Sequence, residues 1–585
     1  MRVSLLVVTP PASRALHLRA SNRRVHTHLL RAIVRSPAQL KKLAIVDSGT
    51  HNTKRWSYEE IVLNSLKLAR ALRAQNIQEP TIAAFQKASS NYVSTMLATW
   101  MVGKRFLPLC TTHPEAELRY FIEDSRAGCI VFTSHEACDK HSYQALPRLG
   151  VPLLDCSPLG LDGSGEPGEA AACPAPDMAS DALILYTSGT TGRPKGVVHT
   201  HHGVTCMMQG LLQSWRYSPH DHILHFLPLH HLHGVLNKLL CMLYAGGSVE
   251  FMQSAQAEGL WRRLARGTGH GQHADKAEKT TLFMAVPTVY ARMIEYAQDT
   301  ARRPDDGGGA TQDREMLQRA LAAIRSDMRL MACGSAALPD NVMNTWRQLT
   351  GQVLLERYGM TEIGMALTND YEPVENRTPG QVGRPFPFVA VRLVDDYGCE
   401  IPGSNSTEQM PPVTGKDADE AVPGELRVKG PTVFREYLNR PEVYRESFDE
   451  QGWFRTGDVA VRQRSGAYAI LGRSSTDIIK ARGYKLSALE IERELLACDA
   501  LVKEVAVLGC PHAMDGEMVV AIVVLQPDAA ALLPDACTPQ IKALLKDRLA
   551  LYKSPTKYLY VDQLPRNALG KVNKKTLLKD LNIVV

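Results

Sequence analysis

A segment rich in glycine, hydroxyl and basic side chains is the part of the sequence best suited to bind a polyphosphate. It covers residues 186–196, reads YTSGTTGRPKG and directly follows DALIL, a short apolar run typical of a buried strand. Glycine lets backbone N–H groups face a ligand, while Ser, Thr and Lys side chains add donors and charge. The segment does not contain G-x-x-x-x-G-K-[ST], the common phosphate-binding loop. We expect the phosphates of a nucleotide to bind here; a flexible linker is the less favoured interpretation.

Length and composition predict a globular enzyme with several folding units. The chain has 585 residues, of which 44% are hydrophobic and 22% charged, values typical of soluble enzymes. At ~150 residues per unit this length suggests about three to four units. No apolar run approaches the ~18 residues of a membrane-spanning helix, so we expect no membrane span.

The cysteines argue against a disulfide framework. There are 12, they are scattered, and no C-x-x-C occurs. This pattern also argues against a structural zinc site and predicts reduced thiols in an intracellular compartment.

Positive charge is concentrated at the amino terminus. Residues 1–40 contain seven arginines and no lysine or acidic residue; subtracting them from the net charge of +6 leaves −1 for the remainder. We therefore expect no nucleic-acid partner. An Arg-rich, acid-free amphipathic start is typical of a mitochondrial transit peptide. The sequence predicts a leader over residues 1–35 and a location in the matrix; the alternative is a disordered basic tail on a cytoplasmic protein.

Alternating strand and helix patterns predict an α/β fold with parallel-rich sheets over residues 36–472. From 473 to 585 the pattern changes to a small α+β domain, in which Thr538 and Pro539 are expected to begin a helix reaching Leu551. Four stretches without a period are expected to be surface insertions: 157–180, 267–279, 302–312 and 402–420.

Further motifs occur in a fixed order along the chain. They are GSAALP at 334–339, ERYGMTE at 356–362, GWFRTGD at 452–458, GR at 472–473 and PRNALGK at 565–571. Together with the 186–196 segment they resemble the adenylate-forming superfamily, which contains acyl-CoA synthetases, peptide-synthetase adenylation domains and luciferases. The resemblance covers residues from about 36 to 585. It implies a large amino-terminal domain, a small mobile carboxyl-terminal domain, and ATP and CoA as substrates.

The resemblance also assigns roles to particular residues. Asp458 would accept the ribose hydroxyls, Tyr358 would stack on adenine, and Arg473 would reach ribose or phosphate. On the residues alone, Asp458 could cap a turn, Tyr358 could belong to the core, and Arg473 could form a surface ion pair. The positions implied to bind ATP are Thr187, Ser188, Gly189, Thr190, Thr191, Gly192, Lys195, Gly334, Ser335, Ala336, Glu356, Arg357, Tyr358, Gly359, Met360, Asp458 and Arg473.

Catalysis is implied for Lys571, Glu362 and Thr361. Glu362 offers a hard oxygen ligand for Mg²⁺, with Thr190 as the second metal-binding residue. Lys571 would place a cation between the reacting carboxylate and the α-phosphate, where negative charges meet.

The second half-reaction of the superfamily uses other residues. The resemblance implies that the small domain rotates about a hinge at Ser474 or Ser475. This rotation would bring Gly483 and Tyr484 beside the CoA arm.

The acid is implied by a resemblance to malonyl-CoA synthetases. It rests on LPLHHLHG at 227–234, MAVPTVYAR at 284–292 and LERYGMTE at 355–362. In that family the arginine matching Arg292 binds the distal carboxylate, and His231 would line the acyl pocket. A guanidinium matches a carboxylate with two parallel hydrogen bonds. A solvated helix arginine is the plain alternative for Arg292.

Several alternatives stay open at this point. The substrate could be methylmalonate or a short- or medium-chain fatty acid, or the chain could be a non-catalytic nucleotide-binding relative. His230 and His233 are expected to be structural, and no metal site is predicted from them without cysteine or carboxylate partners. The oligomeric state is left open.

Overall fold

The structure is a computed structural model that describes most of the chain. The described residues are 28–48, 53–134, 140–164, 176–187, 193–252, 255–266, 279–304, 309–405, 422–481, 484–512, 516–530, 534–546, 548–566, 572, 574 and 577. Ser188, Gly189, Thr190, Thr191, Gly192, Gly483 and Lys571 therefore lie outside the described residues, as do large parts of the predicted insertions.

The strands are numbered in chain order. They are β1 (Leu43–Ser48), β2 (Thr53–Ser57), β3 (Thr81–Phe85), β4 (Arg105–Pro108), β5 (Ala127–Phe132), β6 (Leu153–Asp155), β7 (Asp181–Thr187), β8 (Lys195–Thr200), β9 (His222–His225), β10 (Ser248–Met252), β11 (Leu282–Ala285), β12 (Leu330–Cys333), β13 (Leu355–Met360), β14 (Gly364–Thr368), β15 (Arg384–Pro385), β16 (Ala390–Val394), β17 (Gly424–Lys429), β18 (Glu436–Tyr437), β19 (Phe454–Arg462), β20 (Tyr468–Arg473), β21 (Ile478–Ala481), β22 (Tyr484–Ser487), β23 (Val502–His512), β24 (Gly516–Leu525) and β25 (Lys557–Tyr560).

The α-helices are numbered in the same way, and a π-helical segment, His233–Leu240, precedes α8. The helices are α1 (Leu29–Ile33), α2 (Pro37–Leu40), α3 (Tyr58–Ala74), α4 (Ser90–Met101), α5 (Glu115–Ser125), α6 (Lys140–Ala145), α7 (His201–Trp215), α8 (Cys241–Ala245), α9 (Ala257–Arg266), α10 (Pro287–Arg302), α11 (Gly309–Asp327), α12 (Asp340–Thr350), α13 (Pro441–Glu446), α14 (Ala488–Leu496), α15 (Pro527–Ala530) and α16 (Pro534–Leu545).

Two parallel-rich sheets form the large amino-terminal region. Within the described residues, one has the order β15-β14-β13-β12-β11-β9-β10-β1-β2 and the other β18-β8-β7-β4-β3-β5-β6. Antiparallel pairs occur only towards the edges of these sheets. One hydrophobic core joins both sheets, and a second lies under α9, α10 and α12. The predicted α/β class is confirmed.

Two antiparallel units follow. β16, β17, β19 and β20 form a four-stranded sheet. After Arg473 the chain enters a separate sheet, in which β22, β21, β24 and β23 pair antiparallel and β25 joins β24 in parallel. α14 and α16 cover this sheet through Ile491 and Ile541, both fully buried. This α+β unit matches the predicted fold of the carboxyl-terminal domain.

The amino-terminal boundary predicted at residue 36 is too late. α1 lies before it, and Leu29, Leu30 and Ile33 are at most 1% exposed. His28 Nε2 lies 2.9 Å from Nδ1 of His201 on α7. These residues therefore belong to the core of the protein, and a leader ending at residue 35 would include a buried helix.

The last helix also begins earlier than predicted. α16 starts at Pro534, which occupies the first helical position, where a missing N–H costs nothing. Pro539 lies inside the helix rather than at its start. The helix ends at Leu545, and Leu551–Lys553 forms a separate 3₁₀ turn. The predicted insertion at 302–312 is shorter, because α11 begins at Gly309.

The helices are consistent with the expectation from hydropathy. Among the residues described, none of the helices is both long and apolar enough to cross a membrane.

Shortening Leu30 should test whether α1 belongs to the fold. We expect Leu30→Ala to lower the free energy of unfolding by about 2–5 kcal/mol, because it leaves a cavity at a fully buried position. The matched control Arg31→Ala, at the exposed position of the same helix, should stay within about 0.5 kcal/mol. Urea unfolding measures both. Equal effects of the two substitutions would show that α1 is not part of the core.

Candidate active site

The carboxyl ends of four neighbouring parallel strands carry most of the predicted site. β13, β12, β11 and β9 lie side by side and run in the same direction. The histidine-rich loop, LPLHHLHG at 227–234, follows β9. Helix α10 follows β11, and the GSAALP motif follows β12. Because the ends of parallel strands share one edge of a sheet, segments distant in sequence meet there. Ligands of open α/β sheets bind at this edge.

The buried guanidinium of Arg357 joins two of these segments. Its Nη2 atom donates a 3.1 Å hydrogen bond to the Ser335 hydroxyl, which lies 3.3 Å from Nδ1 of His233. A Cβ atom on Gly334 would come within 2.8 Å of the guanidinium carbon, so this approach requires glycine. Burial lowers the pKa of Arg357 to about 10 and the pKa of His233 well below its ordinary value. At neutral pH a charged guanidinium thus lies beside a neutral imidazole.

The other predicted residues of these two motifs lie at the same edge. Ala336 is exposed after β12, and Met360 is half-buried at the end of β13. A Cβ atom on Gly359 would lie 2.2 Å from the Gly364 carbonyl oxygen. The tight pairing of β13 with β14 therefore requires glycine at this position as well.

Asp458 is held between a phenol and a guanidinium. The Tyr358 hydroxyl donates a short hydrogen bond to Oδ2 of Asp458, and Nε of Arg473 lies 3.2 Å from Oδ1. Asp458 and Arg473 face each other on the antiparallel strands β19 and β20. The surface ion pair considered for Arg473 is thus present, and it fixes a carboxylate whose side chain is 7% exposed.

Glu362 lies in a second polar group. The Tyr437 hydroxyl donates a 2.9 Å hydrogen bond to its Oε1 atom, and the ammonium of Lys195 lies 5.0 Å from the centre of the Tyr437 ring. Burial raises the pKa of Glu362. The adjacent Thr361 is positioned through its carbonyl oxygen, which lies 2.8 Å from Nε2 of His199.

The chemistry of Glu362 fits a divalent cation. Carboxylate oxygens are the ligands that Mg²⁺ prefers. A cation there would offset the cost of ionising a buried carboxyl group, since a nearby positive charge lowers its pKa. Thr190, the other predicted metal-binding residue, lies outside the described residues.

The phosphate-binding segment is described only at its base. β7 ends at Thr187 and β8 begins at Lys195, and these two residues pair across the antiparallel strands. The strand predicted before the loop is confirmed. Tyr120 donates a 2.6 Å hydrogen bond to the Pro194 carbonyl, which holds the end of the segment against α5.

The two residues predicted to contact the acid lie on different elements of this edge. His231 is half-buried in the loop after β9, and its ring centre is 4.2 Å from that of His230. Arg292 is exposed on α10, on the face opposite to the buried residues Tyr290 and Met293. Among the described side chains, Arg292 makes no hydrogen bond or ion pair with the residues around Arg357 or Asp458.

Comparison with known proteins identifies the family. The family described as AMP-binding enzyme matches residues 35–438, and the one described as AMP-binding enzyme C-terminal domain matches residues 490–571. The chain belongs to the AMP-binding enzyme family. The predicted adenylate-forming superfamily is confirmed.

Relatives of this family resemble the chain over nearly its whole length. It is 39% identical to a Mus musculus protein named malonate–CoA ligase ACSF3, mitochondrial, over 94% of this chain and 90% of the relative. It is 37% identical to an Arabidopsis thaliana protein named malonate–CoA ligase, over 93% and 83% respectively. Among solved structures, ATP-bound MatB from Rhodopseudomonas palustris is 31% identical with a TM-score of 0.74, covering 95% of this chain and 99% of MatB.

The predicted hinge of this AMP-binding enzyme lies between its two units. Ser474 and Ser475 fall in the turn from β20 to β21, and both are exposed. Ser474 donates backbone and side-chain hydrogen bonds of 3.0 Å to the Gly457 carbonyl. This turn is thus anchored next to Asp458.

The carboxyl-terminal residues predicted to act in catalysis or beside the CoA arm are described only in part. Tyr484 is 52% exposed and stacks on Tyr552, with ring centres 4.4 Å apart. Lys574, three residues after Lys571, lies 2.6 Å from Asp477 and 2.7 Å from Glu492. The chain beside Lys571 is therefore tied to the residues that follow the hinge.

Sequence reasoning missed the residues that support the site. Tyr437, His199 and Thr456 contact Glu362, Thr361 and Asp458 respectively. Of these three, Thr456 alone shares a motif with its partner, because it lies two residues before Asp458 in GWFRTGD. The other two are separated from their partners by 75 and 162 residues, and no local spacing signals such contacts.

Glu356 should be uncharged in the folded enzyme. Burial raises its pKa to about 8, above the value of 4.5 in the unfolded chain. Its contribution to stability is therefore complete below pH 4.5 and is lost as the pH rises from 4.5 through 8. We expect Glu356→Gln to become more stable relative to the wild type by about 1 kcal/mol per pH unit between pH 5 and 8. Urea unfolding at several pH values measures this difference, and a constant difference would contradict it.

Proposed function

We propose that this chain is an AMP-forming malonate–CoA ligase. A carboxylate oxygen of malonate attacks the α-phosphorus of ATP, the bond from that phosphorus to the bridging oxygen breaks, and pyrophosphate leaves. The sulfur of CoA then attacks the malonyl carbonyl, its proton passes to solvent, and AMP leaves. The observation that carries this proposal is 37–39% identity, over more than nine tenths of the chain, to relatives named malonate–CoA ligase.

The nucleotide would bind along the carboxyl edge of the nine-stranded sheet. Asp458 accepts the ribose hydroxyls, and Arg473 holds its carboxylate in place. Tyr358 and the backbone of Gly334, Ser335 and Ala336 bind adenine. Thr187, Lys195 and residues 188–192 bind the phosphates that leave as pyrophosphate.

Two positive charges would support the first half-reaction. Lys571 would act between the malonate carboxylate and the α-phosphate and offset the negative charge that builds up there. Glu362 and Thr190 would hold Mg²⁺, which when bound neutralises phosphate charge. The hydroxyl of Thr361 would donate a hydrogen bond to the α-phosphate.

The second half-reaction would follow rotation at Ser474 or Ser475. This turn is short, exposed and placed between the two units, which favours it as the hinge. Rotation withdraws Lys571 and brings Gly483 and Tyr484 to the CoA arm.

Arg292 would select the acid. Its guanidinium is exposed in the free enzyme and becomes desolvated when it pairs with the distal carboxylate of malonate. A monocarboxylic acid would leave this charge buried without a partner. Sites that bind a polar group reject analogues lacking it by ~10⁴–10⁵, far more than apolar pockets discriminate between chain lengths. His231 would line the same pocket. Methylmalonate, which retains the second carboxylate, is the main alternative substrate.

A mitochondrial location would require a shorter leader than the sequence predicts. Five of the seven amino-terminal arginines precede residue 28, where the described fold begins. We propose a leader that ends before His28, which leaves α1 intact, and a location in the matrix. The mouse relative is named mitochondrial, whereas the name of the plant relative carries no location.

A panel of acids should test the proposed substrate. We expect pyrophosphate release with malonate, weaker release with methylmalonate, and little with acetate, butyrate or octanoate. Arg292→Ala should lower kcat/KM for malonate by about 10²-fold, because it removes one partner of a desolvated charge pair. The control Arg302→Ala, an exposed arginine at the end of the same helix, should change little. Rapid turnover of octanoate without malonate would overturn the substrate, and equal loss of malonate and acetate activity would make Arg292 structural.

Removing Lys571 should separate the half-reactions. Lys571→Ala should slow pyrophosphate release by about 10²–10³-fold, the usual effect of losing one group that stabilises transition-state charge. Formation of malonyl-CoA from supplied malonyl-adenylate should continue, since the lysine is then withdrawn. Lys575→Ala, a nearby lysine, is the control. Undiminished adenylation in Lys571→Ala would contradict this mechanism. Loss of both half-reactions would indicate misfolding of the small domain.

A further inference from the structure

A cluster of metal-ligating groups lies outside the nucleotide site. The Sγ atom of Cys110 and one ring nitrogen each of His113 and His230 all lie within 4.8 Å of one another. The three side chains are half-buried. The sequence predicts no metal site in the histidine-rich loop without a cysteine or carboxylate partner, and the structure brings Cys110, from a segment about 120 residues earlier, beside His230.

The fold holds these groups together from two sheets. Cys110 and His113 lie in the connection from β4 to α5, where the His113 N–H donates a 3.3 Å hydrogen bond to the Cys110 carbonyl. His230 lies in the loop after β9. The hydroxyl of Tyr92, on α4 between the sheets, donates a 3.1 Å hydrogen bond to the Leu229 carbonyl. The cluster is thus fixed by backbone contacts on both of its sides.

One ring nitrogen of His113 is placed to bind a metal ion. Nδ1 of His113 is buried and has no hydrogen-bond partner among the described residues. Its Nε2 atom lies 3.7 Å from the carboxylate of Glu117, one helical turn further on. A carboxylate on the outer nitrogen of a histidine is the common support of a metal ligand.

We propose that Cys110, His113 and His230 bind a borderline-soft divalent ion such as Zn²⁺, and that Glu117 orients His113. One thiolate and two imidazoles suit zinc, whereas Mg²⁺ takes oxygen ligands. With metal–ligand distances of about 2.0–2.3 Å, ligand atoms in a tetrahedral site lie about 3.3–3.8 Å apart. The three ligand atoms would therefore move about 1 Å closer together when the ion binds. Half-buried side chains have room for this movement. Three protein ligands leave one position for water.

This ion would couple to the acid pocket. The ring of His230 is 4.2 Å from that of His231, so an ion that fixes His230 restrains the loop bearing His231. We expect Zn²⁺ to raise KM for the acid more than KM for ATP. This consequence rests on the proposed function, whereas ion binding itself does not.

Cobalt absorption tests the site without an activity assay. Full-length, untagged protein is titrated with Co²⁺, and the near-ultraviolet thiolate-to-cobalt absorption is followed. We expect one equivalent to bind with this absorption and Zn²⁺ to displace it. Cys110→Ser should abolish the absorption, His113→Gln should weaken binding by more than about 10-fold, and Glu117→Gln should weaken it by about 10–100-fold. Cys399→Ser, at an exposed cysteine elsewhere, should match the wild type.

Each result decides one part of the proposal. Absence of the absorption in the wild type, or its persistence in both Cys110→Ser and His113→Gln, overturns the metal site. Circular dichroism of each variant checks that it folds, and the two ligand variants serve as independent tests. In the activity assay, Zn²⁺ should raise KM for malonate in the wild type and in Cys399→Ser but not in Cys110→Ser. Cobalt absorption without this change in KM overturns the coupling to the acid pocket and leaves the ion site supported.

Discussion

The buried guanidinium of Arg357 is the interaction on which the arrangement of the nucleotide site depends. It lies on β13 and donates a hydrogen bond to the Ser335 hydroxyl after β12. This hydroxyl in turn lies beside Nδ1 of His233, at the start of the π-helical segment. A buried charge needs partners that are fixed in place, and these partners come from two other segments of the same sheet edge, one after β12 and one after β9. Gly334 permits the contact, because any side chain there would collide with the guanidinium. The adjacent Tyr358 then reaches Asp458, so one strand connects the parallel sheet to the antiparallel sheet that precedes the hinge.

The two units are connected at the turn predicted to be the hinge. Asp458 and Arg473 pair across β19 and β20, and the turn at Ser474 and Ser475 follows directly. On the far side of this turn, Asp477 accepts a hydrogen bond from the Arg473 N–H and pairs with Lys574. Asp458, the predicted hinge and Lys574, three residues after Lys571, are thus linked by contacts through Arg473 and Asp477. Such a layout suits an enzyme whose two half-reactions use different faces of the small domain.

Motifs predicted much of this structure because their chemistry is local. Glycine-rich turns and the strand before residues 186–196 each depend on residues a few positions apart. Contacts between distant segments left no such signal. The Tyr437 hydroxyl donates a hydrogen bond to Glu362, and the rings of His28 and His201 are within hydrogen-bond distance. Cys110 lies near His230. Each pair forms only when separate elements fold together. The same reason explains the misplaced amino-terminal boundary: an apolar and basic helix has one pattern whether it is a leader or part of a core.

Transfer of an oxygen label from malonate to AMP distinguishes adenylate formation from other routes to the thioester. If a malonate carboxylate attacks the α-phosphorus and CoA then displaces AMP, one carboxylate oxygen stays with the phosphate. With [¹⁸O]malonate, ATP and CoA, we expect malonyl-CoA and AMP in equal amounts, with one ¹⁸O atom in each AMP. Unlabelled AMP, label in inorganic phosphate with ADP as product, or no malonyl-CoA at all would contradict it.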